Sequence, residues 1–308
     1  MSNDTINRQL LFDVNFYSSI VLTAIGMIGN PLVIYIFTRP QFLKVSMFHY
    51  WIAETIADIL NILCNWPSVF PDFFNLNELS ISCKIFYYFY YVPYQVSPWM
   101  LSLSSIDRVL SVKYPTTSRF RNNVKYQLIA IIAVVVFISL VNTPIYWYHD
   151  AVPGQGCVTT DHEIEIYLDI LNLLLGAIIP FVIMTVSTCL IWQQLLMKKK
   201  NLKQENKKRY HKDVQLIKIL CIMDIYFLVL NLPYAVYVVI CDILHIKAFD
   251  TLALYITANL AYAFAACNFF IYIIFNKVFL DYFISMIICW KKNRYMERKS
   301  VLSTDIAY

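Results

Sequence analysis

The chain has 308 residues, 59% of them hydrophobic and only 15% charged, with a mean hydropathy of +0.56 and a formal net charge of +5. A soluble globular domain carries about 25% charged residues, so this composition excludes a soluble enzyme or nucleic-acid-binding domain and places the chain in lipid. Long uncharged runs also exclude a transmembrane β-barrel, whose short alternating strands are separated by turn residues. The spans are therefore helices, which satisfy their own backbone groups in the bilayer.

Seven spans are predicted in chain order, at 16–37, 46–70, 84–112, 126–148, 169–197, 212–241 and 251–276. The first is uncharged and follows a segment without the basic start, short apolar core and small-residue cleavage site of a removable signal. It is expected to act as an uncleaved signal behind an extracellular segment, 1–15. The second carries Glu54 and Asp58, and the sixth carries Asp224. In the third, the uncharged run 85–106 ends in Asp107-Arg108, with Lys113, Arg119, Arg121 and Lys125 following at once. Charged groups there cost several kcal/mol unless they are paired or reach the interface, so the pair is either a stop-transfer edge with a snorkelling Arg108 or a functional element. After the seventh span, 277–290 is apolar but too short to cross and fits a helix lying in the interface; 291–308 is left as a cytoplasmic tail. No repeat or low-complexity tract divides 16–276, which is taken as one domain.

Orientation follows from Lys and Arg in short loops. The connections after spans one, three and five, and the tail, hold most of them, including the cluster Lys198, Lys199, Lys200, Lys203, Lys207, Lys208 and Arg209. The other side holds Arg8, Lys84 and Lys247 and is rich in acids: Asp72, Glu78, Asp150, Asp161, Glu163, Glu165, Asp169, Asp242 and Asp250. The N-terminus is thus predicted outside, with Asp161 to Glu165 as an acidic outer loop. Asn3-Asp4-Thr5 is a glycosylation sequon on that side, and Cys289 is either a palmitoylation site or an apolar thiol.

An all-α membrane protein with seven transmembrane helices, an extracellular N-terminus, an interfacial helix and Asp107-Arg108 closing the third span resembles the rhodopsin-like (class A) G-protein-coupled receptors, over nearly the whole chain. Further residues carry the resemblance: Gly29-Asn30 in the first span, Asp58 in the second, Pro180 and Pro233 in the fifth and sixth, Phe227 before Pro233, and Asn268 and Tyr272 in the seventh. The resemblance implies a disulfide from Cys83 to Cys157, and a switch in which Arg108 pairs with Asp213 at rest. A proline kink at Pro233 supplies a natural hinge for an outward swing of the sixth span. It also implies a sodium ion at Asp58, Ser97 and Asn268; the alternative is a protonated Asp58 hydrogen-bonded to Asn30 and Asn268. The chain departs from the family where Phe269 replaces the proline after Asn268, Asn231 replaces a tryptophan, Val109 an aromatic and Thr188 a tyrosine, and where the fourth span lacks its usual tryptophan. Glu54 and Asp224 are extra acids, and Asp224 has no evident partner.

Counted from Arg108, the inner face of the third span presents Tyr87, Tyr90, Tyr91 and Tyr94, and Asn231, Tyr234 and Tyr262 are expected to line the same outward-facing cavity. Tyrosines offer apolar area, hydroxyl hydrogen bonds and cation–π faces, or simply pack between helices. The resemblance places an aspartate at Tyr90 in amine receptors, which argues against an amine ligand. An acidic rim concentrates cations. The favoured function is a plasma-membrane, multi-pass receptor that transduces a basic or amidated neuropeptide into activation of a heterotrimeric G protein, with Ser300, Ser303 and Thr304 as sites for phosphorylation and arrestin. A chemosensory receptor for a small molecule is the alternative. A transporter or channel is the remote one, since no inverted repeat or glycine-broken helix pair is present. No triad, metal-spaced cluster or glycine-rich phosphate loop suggests an enzyme, and neither a resident cofactor beyond the sodium ion nor a nucleic-acid partner is expected.

Overall fold

The computed structural model describes residues 3–69, 79–114, 123–152, 156–200, 207–244 and 251–288, with side chains placed in all of these except 3–12, 66–69, 198–200, 207–209 and 211–213. Cys289 and the tail lie outside the described residues, as do the side chains of Asn3 and Asp213. The chain forms α1 (Asn3–Phe37), a single turn α2 (Pro40–Leu43), α3 (Met47–Val69), α4 (Ser80–Lys113), α5 (Val124–Val141) and a short α6 (Pro144–Tyr148). A hairpin of β1 (His149–Val152) and β2 (Gly156–Thr159) follows, then α7 (His162–Leu173), a π-helical turn Leu174–Ile178, α8 (Ile179–Lys200), α9 (Lys207–Ile243), α10 (Leu252–Phe275) and α11 (Lys277–Ile288).

Among the described residues, five helical stretches are long and apolar enough to cross a membrane: Asp13–Phe37, Val124–Tyr148, His162–Met197, Val214–Ile243 and Leu252–Phe275. The helices α3 and α4 have the length, 23 and 34 residues, but carry charged and polar groups that they turn inward: Glu54, Asp58, Ser97, Asp107 and Arg108 are all buried. The outward surface is apolar instead, as at Ile28, Ile129, Leu140 and Ile274. This distribution suits a hydrocarbon solvent, in which polar groups must find partners within the bundle.

Several boundaries differ from expectation, each for a local reason. The first helix begins at Asn3 rather than near residue 16, because no glycine or proline interrupts it there and each added residue adds a backbone bond. The fourth span divides at Asn142, whose amide caps α5 through the Ile138 and Leu140 carbonyls, and Pro144 opens α6 where a missing N–H costs nothing. The acidic stretch predicted as a loop is the start of a helix. Asp161 caps α7 by accepting from the amides of Glu163 (2.9 Å) and Ile164 (3.4 Å), and Glu163 and Glu165 in the first turn favour the positive end of the helix dipole. The fifth span widens into a π-turn just before Pro180, where the Ile179 amide reaches back to the Leu174 carbonyl. The Leu175 carbonyl released by that turn accepts from Trp99 Nε1 at 2.9 Å, and the Pro180 carbonyl accepts from Ser102 at 3.2 Å.

Packing pairs α3 with α4, α1 with α10, α4 with α8, and α9 with α10. Close approach of α1 to α10 requires small residues: a Cβ at Gly29 would meet Phe269 Cβ at 2.9 Å, and one at Gly26 would meet the Ala266 backbone at 3.1 Å. Phe269, where a proline was expected, thus fills the groove that Gly29 opens. Below it, Phe37, Phe42, Trp51, Tyr272 and Phe279 form a continuous aromatic cluster that ties α11 to the bundle, with Phe37 4.9 Å from Tyr272 and 5.3 Å from Phe279. Gly29→Ala should therefore lower stability by about 1–3 kcal/mol, as overpacking does, read as a fall in the thermal unfolding midpoint of the detergent-solubilised protein.

Candidate functional site

The functional side chains begin with a polar stripe on α3. Glu54, Asp58, Asn61 and Asn65 fall at helical spacing on one face, aimed at α4 and α10. Ser97 Oγ donates to Asp58 Oδ1 at 2.7 Å. The Asn268 Nδ2 group donates to both Asp58 Oδ2 and Glu54 Oε1, each at 2.7 Å, and the Tyr272 hydroxyl faces Glu54 Oε2 at 3.4 Å. All five side chains are buried, and Asn268 Oδ1 has no hydrogen-bond partner among the described residues. The predicted Asp58, Ser97 and Asn268 are thus brought together. Asn30 is not part of the set: its Nδ2 donates to the Ala265 carbonyl at 3.0 Å. The alternative of an Asp58 bonded to both asparagines does not form in that version. Two carboxylates and a serine hydroxyl are the hard oxygens a cation takes, while the Asn268 amide turns its Nδ2 rather than its oxygen toward them.

Near the C-terminal end of α4, Arg108 is buried and lies 3.0 Å from Asp107 Oδ2, which also accepts from Ser46 at 2.5 Å. The Asp213 position is in the second turn of α9, its side chain outside the described residues. Higher in the same helix, Thr188 Oγ1 of α8 donates to Asp224 Oδ2 at 2.8 Å, so Asp224 does have a partner. Phe227 packs edge-on against Phe264, 5.5 Å away, and Pro233 sits inside α9.

Toward the outer end, Tyr90, Tyr94 and Tyr262 line a cavity of about 40 Å³ together with Asn61, Asn65 and Asn259. The asparagines were not anticipated, although their place on the Glu54–Asp58 face of α3 is a readable signal. The Tyr94 hydroxyl is buried without a partner among the described residues, and its ring contacts Tyr234 edge-on at 6.3 Å. Tyr262 is also a strut: its hydroxyl lies 2.8 Å from Thr23 Oγ1 and donates to the Ile62 carbonyl at 3.2 Å. Asn231 is buried with its Nδ2 unpartnered among the described residues. Tyr91 and Tyr87 lie apart from that cavity. Tyr91 donates to Asp169 Oδ1 at 3.4 Å, and Asp169 stands beside Asp242 of α9, within hydrogen-bond reach. Tyr87 reaches the Cys157 carbonyl at 3.5 Å, and its ring centroid lies 4.4 Å from that of His149 with the planes tilted by 45°.

The hairpin lies over this end. The Cys83–Cys157 disulfide joins it to α4 with Cα atoms 5.6 Å apart. Asp150 accepts from Ser80 and from the Ala151 amide; the Ser80 bond is the main reason its carboxyl is held below the usual carboxylate range. Gly156 supplies the positive φ of 84° that opens β2. His149 is 3% exposed, lies 3.2 Å from Thr159 Oγ1, and is pushed down to about 4 by burial. A histidine whose folded pKa lies below its unfolded value contributes full stability above about 6.5 and loses it as pH falls toward 4. Between pH 7 and pH 5 the wild type should lose about 2 kcal/mol more than His149→Phe, measured as the pH dependence of the thermal unfolding midpoint.

A family model for the seven-transmembrane receptors of the rhodopsin family matches residues 29–272. Among similar proteins, the type-1 angiotensin II receptor of Gallus gallus is 25% identical over 287 residues, covering 87% of this chain and 78% of the relative. Cysteinyl leukotriene receptor 1 of Sus scrofa is 25% identical over 253 residues, covering 75% and 69%. The FMRFamide receptor of Drosophila melanogaster is 26% identical over 306 residues, covering 86% of this chain and 52% of the relative. A receptor family over this much of the chain sets aside the transporter and the enzyme. The chain belongs to the rhodopsin family of seven-transmembrane receptors, as a multi-pass plasma-membrane protein that couples an extracellular ligand to a G protein.

Proposed function

We propose that the chain crosses the bilayer seven times with its N-terminus outside and converts binding of a basic, amidated peptide into activation of a heterotrimeric G protein. The observation that carries the ligand class is the Asp169–Asp242 pair at the outer ends of α7 and α9, joined to Tyr91. Neither carboxylate has a Lys or Arg partner among the described residues. Two adjacent carboxylates, one of them bonded to a phenol, offer a planar guanidinium a bidentate seat and a cation–π face. The small cavity farther in, lined by amides and phenols, suits an uncharged amide end of the same ligand. The FMRFamide receptor among the similar proteins is consistent with such a ligand.

On the cytoplasmic side, the resting state is held by Arg108 against Asp107 and by the Thr188–Asp224 bond between α8 and α9. The family resemblance implies Asp213 as a further acid partner for Arg108 at rest. An agonist favours the outward position of α9 only by its differential affinity for that state. Phosphorylated Ser300, Ser303 and Thr304 would then recruit arrestin.

Two outcomes are expected in cells. Amidated arginine-bearing peptides should evoke a calcium response through a promiscuous G protein, and Asp169→Asn should reduce their potency by roughly 30-fold or more at equal surface expression. A response that Asp169→Asn leaves unchanged, or one evoked only by uncharged small molecules, would sink the basic-peptide reading. Asp224→Ala should raise ligand-independent signalling, because the hydrogen bond it removes is worth about 1.5–3 kcal/mol to the resting packing.

A further inference from the structure

We propose that a membrane sterol binds in the lipid-facing groove between α9 and α10, beside Pro233. The groove has a volume of about 350 Å³, within the range of small-molecule sites. Leu228, Leu232, Val236 and Ile240 line it at helical spacing along one side of α9, and Thr257 of α10 stands across from them. A proline inside a helix gives no N–H to the carbonyl one turn back and bends the axis, and the groove opens at that residue. From Leu228 to Ile240 the stripe runs about 18 Å at the helical rise per residue.

Its place in the bundle says what fills it. The groove lies within the stretches Val214–Ile243 and Leu252–Phe275. It continues the lipid-facing surface, where the neighbouring Ile225, Val229 and Ile256 are 62%, 57% and 50% exposed. The bilayer core holds no water to occupy it, so a bilayer component does. The lining then selects among lipids. Among the described residues no charged side chain lines the groove, so a phosphate or carboxylate head finds no cation there. The polar groups are two hydroxyls at the end nearer the α9–α10 connection. Tyr237 bonds to Thr251 Oγ1 at 2.7 Å. Thr257 donates to the carbonyls of Ala253 at 2.8 Å and Leu254 at 3.0 Å, which leaves its oxygen with lone pairs that accept one hydroxyl hydrogen. An uncharged apolar body with a single hydroxyl is the chemistry of a sterol, and its rigid rings lose less conformational freedom on binding than an acyl chain does. Thr257 lies about 8 Å along α10 from Leu252. The sterol hydroxyl therefore sits near the membrane edge, and the rings extend past Val236 and Pro233 toward Leu228. Occupancy joins α9 to α10 across the hinge and favours this packing by as much as the sterol prefers it.

Full-length receptor in lipid nanodiscs can be photolabelled with a diazirine-bearing cholesterol and the labelled peptides mapped, with tritiated cholesterol binding measured alongside. Label should concentrate on the α9 stripe and around Thr257. Val236→Trp fills the groove and should abolish that label at unchanged surface expression. Thr257→Ala should weaken cholesterol binding roughly two- to tenfold, as loss of one neutral hydrogen bond does, and it serves if Val236→Trp does not fold. The 3α-hydroxy epimer of cholesterol, which moves the hydroxyl but keeps the rings, should bind more weakly than cholesterol. Label that survives Val236→Trp, or that spreads evenly over the lipid-facing helices, would overturn the proposal, as would affinity unchanged by Thr257→Ala or equal for the two epimers. A photoreactive phosphatidylcholine labelling the groove in preference to cholesterol would overturn it too, and assign the groove to an acyl chain.

Discussion

Two carboxylates in the middle of an apolar bundle are the constraint to which the rest of the packing answers. Glu54 and Asp58 cannot face lipid, so α3 turns that side inward and must meet polar groups there. Ser97 from α4 and Asn268 and Tyr272 from α10 supply them. Three helices are thereby fixed in register by a handful of bonds, each shorter than or near 3.4 Å. The aromatic cluster of Phe37, Trp51, Tyr272 and Phe279 then packs directly beneath, so the hydroxyl end of Tyr272 serves the polar centre and its ring serves the apolar floor.

Two of the departures from the family pattern are matched by local compensations. Phe269 stands where a proline was expected, and Gly29 leaves the space it occupies. Thr188 stands where a tyrosine was expected, and Asp224 is there to accept its hydrogen bond. Both of these changes come with a partner on the facing helix. In lipid this is what physics requires, because helix association rests on fitted packing and interhelical hydrogen bonds rather than on expulsion of water. Divergence at such positions moves the contact without loosening the bundle.

The two ends of the molecule are built on different physics. The outer end is rigid and covalent: a hairpin tied by Cys83–Cys157, anchored through Asp150 and Ser80, and sealed by the neutral His149 against Tyr87. Beneath it lie Tyr91, Asp169 and Asp242, the acids without a Lys or Arg partner among the described residues. The inner end is held by bonds between side chains that can be exchanged, Arg108 with Asp107 and Thr188 with Asp224. The polar centre lies between the two and touches helices that reach both.

Much was legible in the residues themselves. Hydropathy placed long apolar helices, because lipid admits only such elements, and five of the stretches it marked are long and apolar enough among the described residues to cross a membrane. The family resemblance brought Asp58, Ser97 and Asn268 to one another, and the uncharged run before Asp107-Arg108 put that pair at the end of a span. Boundaries were harder where capping chemistry outweighed composition: Asp161 draws an acidic stretch into a helix, and Asn142 with Pro144 divides a run that hydropathy shows as continuous. Only the tertiary structure decided which polar groups meet. Sequence periodicity gives the face on which Glu54, Asp224, Asp169 and Asp242 stand, but not the partner on the opposing helix, since partnership depends on helix rotation and crossing. That is why Asn30 turned to the Ala265 carbonyl instead of Asp58, why Tyr91 left the tyrosine cavity for Asp169, and why Glu54, an unplaced extra acid in the sequence, lies at the centre of the fold.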